Sequence, residues 1–239
     1  ISNNKLASVQ QALRHSEKLA HMGQLSAGIA HELNNPLGVI IMYSNLLLEE
    51  CDSSSQEYKD LELIVQQAER CKSIVGGLLN FARKNKVNYT PVKTNTFIRD
   101  CIHAVVIPDN ISLVKNDDNL ETVINIDIEQ MTQAVTNLLK NAIDAMPSGG
   151  TLTVDINNQE EQLQIAISDT GIGIDNENME KLFNPFFTTK EIGKGTGLGL
   201  ATTYGIVKMH KGKITAISNA DKSKGATGTT FKITIPTNL

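Results

Sequence analysis

The chain has 239 residues and a formal net charge of −4 at pH 7 with no strong basic cluster, a balance that argues against a nucleic-acid partner. No apolar run approaches the roughly 20 residues of a membrane span, and no stretch of these residues reads as a signal peptide. A cytoplasmic protein is therefore expected, with any membrane anchorage carried by segments outside a chain that starts at Ile1 and reads as part of something longer. Cys51, Cys71 and Cys101 have no metal-like spacing and point to a reducing compartment.

In chain order, residues 1–20 carry a sparse heptad-like seam (Leu6, Val9, Leu13, Ala20) and read as a coiled-coil signalling helix. Residues 21–86 read as a helical hairpin. Its first helix has an apolar stripe at Met22, Leu25, Ile29, Leu33, Pro36, Ile40, Tyr43 and Leu47, spaced by threes and fours. At about 100° per residue, His31 falls away from the stripe's centre, beside the small or polar Ala27, Asn34, Asn35 and Gly38. That predicts an exposed histidine. Pro36 removes one backbone donor and clashes with the carbonyl of residue 32, which predicts a bend just past His31.

"CDSSSQ" (51–56) is a turn by composition. A second helix follows with Leu61, Val65, Ala68, Val75, Leu78 and Ala82 at helical spacing. Two such helices make an antiparallel pair with too little mass to bury both stripes, so a homodimeric four-helix bundle is expected. "VNYTPV" (87–92) reads as a linker broken at Pro91. Residues 93–239 read as a second domain. "NTFIRDCIHAVV" and "IEQMTQAVTNLLKNAIDAM" have helical character, and "GTLTVDIN", "QLQIAISD", "GKITAISN" and "TTFKITIP" have strand character. Short polar turns between strands favour hairpins, hence an α+β domain with a mostly antiparallel sheet covered by helices on one face.

Three clusters in this half are candidate ligand contacts. Asn137 and Asn141 stand at i and i+4 on one helix face, and two amides in line suit a hard cation with phosphate oxygens, or else are merely exposed polar residues. "SDTGIGID" ends a strand at Asp169 and sets Gly171 and Gly173 alternately, where the backbone can approach a flat ligand or simply turn. "GKGTGLGLA" adds Gly195, Gly197 and Gly199 at the head of a helix, a ready anion site. No Gly-Lys-Ser/Thr closes it, so it is not a P-loop. Between the clusters, Phe183, Phe186, Phe187, Lys190 and Lys194 lie in a long loop suited to a lid.

In this order the clusters resemble the ATP-binding domain shared by sensor histidine kinases, Hsp90-type chaperones, type II topoisomerases and mismatch-repair ATPases. The resemblance covers about residues 90–239 and implies ATP with Mg²⁺. It implies that Asp169 receives the adenine amino group, that Asn141 and Asn137 hold Mg²⁺ and phosphates, and that Thr229 supports the adenine side. Lys140, Gly171, Gly173, Lys190, Gly195, Thr196, Gly197, Leu198 and Gly199 complete the implied nucleotide set. "HELNNP" (31–36) is similar to the phospho-acceptor box of sensor histidine kinases and separates this chain from the chaperones and topoisomerases.

The family implies phosphoryl transfer from ATP to His31 and onward to an aspartate of a response-regulator receiver domain. A neutral imidazole is a competent nucleophile near pH 7. Glu32, about 100° round the helix, can reach it from the side as base, and Asn35 shares its face. The resemblance gives Asn35 a part in dephosphorylating the regulator. The rival readings are a conformational ATPase without kinase activity and a signalling-dead scaffold. His15, His21, His103 and His210 read as structural.

Overall fold

The computed structural model of the chain describes residues 32–83, 87–117, 122–159, 161–190 and 195–237. The expected signalling helix at 1–20, His31 and Lys194 lie outside them. The chain divides into two compact units, one of residues 1–85 with 190–196, the other of residues 86–189 and 197–239.

In the first unit, helix α1 (32–50) runs unbroken through Pro36. The turn after it forms as its composition predicts. Asp52 Oδ1 accepts from Ser54 N at 2.9 Å and Ser54 Oγ at 2.8 Å, which lowers its pKa. Ser55 Oγ then accepts from Tyr58 N at 3.0 Å and caps helix α2 (Gln56–Arg83). Leu61, Val65, Ala68 and Val75 make the inward side of α2; the side chains of Leu78 and Ala82 lie outside the described part.

The inward side of α1 differs from the expectation. Leu37, Ile41, Ser44 and Leu48 are buried or half-buried, each one residue on from the predicted stripe, so the hairpin face lies about 100° round the helix from it. Leu33, Ile40, Tyr43 and Leu47 remain 44–59% exposed. Asn34 and Gly38, expected on the exposed side with Asn35, are half-buried. The physical reason is that α1 carries apolar residues round more than one face: the hairpin takes the face of Leu37, Ile41 and Leu48 and leaves the stripe open.

The second unit holds β1 (Thr90–Lys93), α3 (Thr94–His103), β2 (Ile111–Asp117), β3 (Val123–Ile126), α4 (Ile128–Asp144), β4 (Gly150–Gln159), β5 (Gln162–Asp169), α5 (Asn176–Met179), α6 (Gly199–Met209), β6 (Lys213–Asn219) and β7 (Gly228–Pro236). Five strands form one sheet in the order β2-β4-β5-β7-β6, antiparallel except for the parallel pair β2–β4. A separate pair, β1–β3, is antiparallel. The expected linker at 87–92 is therefore shorter than the spacing suggested, because Thr90–Lys93 is a strand. Pro91 is tolerated there because β1 pairs on one side only.

One sheet face is apolar by strict alternation. Leu152, Val154 and Ile156 on β4, Leu163, Ile165 and Ile167 on β5, and Phe231, Ile233 and Ile235 on β7 are all buried. Met131, Ala134, Val135, Leu138, Leu139 and Ala142 of α4 join them in one core, with α3 and α6 both in contact with α4. Removing one of these side chains, as in Ile165→Ala, costs about 2–5 kcal/mol.

Candidate nucleotide site

The apolar face of the sheet ends in a polar row. Beyond Ile167 and Phe231, which face each other, Asp169 on β5 stands opposite Thr229 on β7, and Thr229 stands opposite Ser218 on β6. Side chains directly opposite share a face, so alternation that buries Ile165 and Ile167 also buries Asp169 (8% exposed) and Thr229 (5% exposed). Asp169 Oδ1 accepts from Gly171 N at 2.9 Å and Thr229 N at 3.3 Å. Burial raises its pKa, and these two amides oppose the shift.

Gly171 and Gly173 earn their places differently from the sequence expectation. A Cβ on Gly171 would strike the Ala145 carbonyl at the end of α4, and one on Gly173 (φ +73°) would strike the Asn219 carbonyl at the end of β6. The close approach at both is to the protein's own backbone. Ile172 N donates to Ala145 O at 3.0 Å, locking the Asp169 loop to α4.

From Ala145, Asn141 lies one turn back along α4 and Asn137 another, a span of about 12 Å at 1.5 Å per residue. Both are half-buried. Asn137 Nδ2 donates to Gly199 O at 3.3 Å, and Thr203 Oγ1 donates to the same carbonyl at 2.9 Å. Since a carbonyl can only accept, one N–H of the Asn137 amide goes there, and its Oδ1 is the lone-pair end that can meet a cation. An amide oxygen is the donor a hard cation takes, so Asn137 fits Mg²⁺. Helix α6 begins at this point without a side-chain cap, leaving its first N–H groups for an anion.

Gly197 (φ +66°) packs its Cα face on the Phe186 backbone, where a Cβ would clash. Phe186 itself has φ +65° and is half exposed. Phe183 packs on Tyr204 at 5.3 Å between ring centroids. Leu198 is buried (5% exposed) and its side chain serves packing.

Of the predicted residues, the fold brings together Asp169, Gly171 and Thr229 through hydrogen bonds, and Asn137 with Gly199. Lys140 is exposed on α4, three residues on from Asn137. Lys190, Gly195 and Thr196 belong to the first unit, as do the exposed Glu32 and Asn35. Among the described residues no cluster of three His, Cys, Asp or Glu could hold a metal, and no helix is long and apolar enough to cross a membrane.

Sequence reasoning missed Ser218, whose signal is only a cross-strand register. It also missed a buried clasp at the head of α4. Asp127 caps the helix through Gln130 N at 3.0 Å, and its Oδ2 accepts from Asn88 N at 3.1 Å. His210, fully buried as a structural residue, accepts from Asp127 N at Nε2 (3.0 Å) and donates from Nδ1 to Ile206 O (2.8 Å).

Two family models match the chain: the His Kinase A (phospho-acceptor) domain over residues 21–86 and the histidine kinase-, DNA gyrase B- and HSP90-like ATPase over residues 126–239. Sensor kinase CckA of Brucella abortus (strain 2308) is 35% identical over 99% of this chain and 26% of its own length. Sporulation kinase E of Bacillus subtilis (strain 168) is 34% identical over 95% of this chain and 30% of its own. The solved histidine kinase ThkA, in complex with response regulator protein TrrA, has the same fold at a TM-score of 0.67 and 24% identity, covering 98% of this chain and 67% of that one. The chain spans about a quarter to a half of the length of the curated relatives it matches. With a phospho-acceptor hairpin followed by an ATPase domain of this kind, the chain belongs to the sensor histidine kinases.

Proposed function

We propose that this chain is the catalytic core of an ATP-dependent protein histidine kinase that phosphorylates His31 and passes the phosphoryl group to an aspartate of a response-regulator receiver domain. The observation that carries the nucleotide half is the buried Asp169 carboxylate. One of its oxygens is filled by two backbone amides, and α4 leads from its loop along Asn141 and Asn137 to the uncapped start of α6. A carboxylate buried among apolar strands is costly unless it is hydrogen-bonded, and an adenine amino group supplies the missing donor.

Asn137 and Asn141 would hold Mg²⁺, which neutralises phosphate charge when bound. The N–H groups heading α6 take phosphate oxygens, and Lys190 or Lys194 meets charge on the γ-phosphate. An imidazole nitrogen of His31 forms a bond to the γ-phosphorus as the bond to the bridging oxygen breaks and ADP leaves. Glu32 takes the proton from the ring. Asn35, exposed on the same helix, places water against the regulator's aspartyl phosphate in a phosphatase role. The core works as a homodimer on the cytoplasmic side, with sensing and any membrane anchorage in other segments of the protein.

Incubation with γ-labelled ATP tests the reading. The expected product is protein-bound phosphate that survives base, is lost in acid, and is absent in His31→Gln while ATP affinity is kept. ATP hydrolysis without protein-bound label would mark a conformational ATPase instead. On the same preparations, Glu32→Ala is expected to slow labelling about 10²–10⁴-fold, and Asn35→Ala to spare labelling and weaken phosphatase activity. The reverse pattern would exchange the two roles.

A further inference from the structure

We propose that Ser218 sets the hydrogen-bond polarity of the base-recognition face and thereby the choice of adenine over guanine, a role that rests on the nucleotide reading of the Asp169 site. Three groups reach Ser218 Oγ: Ile174 N at 2.8 Å, Gly228 O at 2.9 Å and Thr229 Oγ1 at 2.8 Å. A hydroxyl has one proton and two lone pairs. The amide can only donate and the carbonyl can only accept. The single Ser218 proton therefore goes to Gly228 O, and one lone pair takes the Ile174 N–H. The remaining lone pair is left for the Thr229 hydroxyl proton, and this is the one assignment that satisfies all three contacts.

The consequence falls on Thr229. With its proton committed to Ser218, Thr229 Oγ1 offers only lone pairs to anything that approaches. Its cross-strand neighbour Asp169 is in the same condition: Oδ1 is filled by the amides of Gly171 and Thr229, and among the described residues no side chain or amide donates to Oδ2. This end of the sheet face is thus built wholly of acceptors. Adenine presents the N6 amino donor where guanine presents the O6 acceptor. The first is matched and the second sets lone pair against lone pair in a buried place. Ser218 acts through Thr229 and is a positioning residue, held at its post by register and by the Ile174 amide.

The test is ATP and GTP binding to the full chain by calorimetry in Mg²⁺. Wild type is expected to prefer ATP. Ser218→Ala frees the Thr229 proton to turn toward O6, and the ATP-over-GTP preference is expected to fall about tenfold or more, the scale of a buried hydrogen bond left unmade. Ser218→Thr, which keeps the γ-hydroxyl, is expected to restore it. A merely structural Ser218 would weaken both nucleotides in parallel and leave the preference intact, which would overturn the proposal. Thr229→Val removes the acceptor, and with it one donor to Ser218, and is expected to lower the preference too; an unchanged preference there would also overturn it. Wild type that binds neither nucleotide would overturn the nucleotide reading and this proposal with it, whereas ATP bound with unchanged preference in the variants overturns only the role of Ser218.

Discussion

Asp169 joins two demands that oppose each other. The strand alternation that buries Ile165 and Ile167 carries its side chain into the same apolar face, and burial raises its pKa. The amides of Gly171 and Thr229 hold it where it can still accept. In Asp169→Asn the amide oxygen can keep both backbone donors, so the fold is retained, but an NH₂ group then meets the adenine amine. ATP affinity is expected to fall about 10–100-fold, since an unmatched buried donor costs about 1–3 kcal/mol. Unchanged calorimetric affinity, with the variant folded, would remove adenine from this carboxylate. Asp169 was legible in the sequence because an acid closing an alternating strand ahead of Gly-x-Gly is a local pattern. Ser218 was not. Its meaning depends on standing opposite Thr229 and within reach of Ile174, 44 positions away, and neither fact is local.

The same distinction holds among the elements. Strands β4, β5 and β7 were legible because each buries every second residue against helices, while β6 showed strand character in its sequence although only Ile214 is buried. The strands that escaped notice lack that signal. β2 has only Ile111 buried, with Leu113 and Val114 both more than a third exposed; β3 is four residues long; and β1 contains Pro91. Helix α4 was legible by its apolar period, but its anchorage was not. In an ordinary capping box the third helical residue reaches back to the N-cap amide. Here Gln130 Nε2 goes instead to the Asp127 carboxylate at 3.0 Å, and the Asp127 amide is given to His210 at the far end of α6. That bond requires an unprotonated Nε2. Burial lowers the pKa of His210, against the opposing pulls of the Ile206 carbonyl and the Asp127 charge. The unfolded chain, with an ordinary histidine pKa of about 6.5, therefore takes up this proton at higher pH than the folded chain. The stability contributed by neutral His210 is whole above about pH 6.5 and is lost as pH falls through the folded value. Thermal melts of the wild type are expected to drop more steeply between pH 7 and pH 5 than those of His210→Gln, which should be less stable at pH 7. Parallel slopes would mean that His210 does not govern the acid limb.

For the whole molecule, the open question left by the hairpin is what covers its second apolar side. The hairpin contact takes Leu37, Ile41, Ser44 and Leu48, and leaves Leu33, Ile40, Tyr43 and Leu47 in a row that is 44–59% exposed, with Leu63 and Ile64 of α2 similarly open. A run of this length is more than scattered surface hydrophobicity. A second copy related by a two-fold axis would cover it with the same residues, so that each side chain counts twice. Burying an exposed leucine or isoleucine is worth about 1.5–3 kcal/mol, and repeated over both copies this suffices for association at micromolar concentration. The converse gives the test. Ile40→Glu with Leu47→Glu places two carboxylates on each copy where apolar side chains should meet, four in all, without disturbing the inward residues one position on. Sedimentation of the full chain is expected to show a dimer for wild type and a monomer for the double variant. ATP affinity is expected to stay the same, because Asp169, Thr229 and Asn137 lie wholly in the second unit. A double variant that remains dimeric would place the contact elsewhere, and a wild type that is monomeric would leave the stripe without the partner assigned to it.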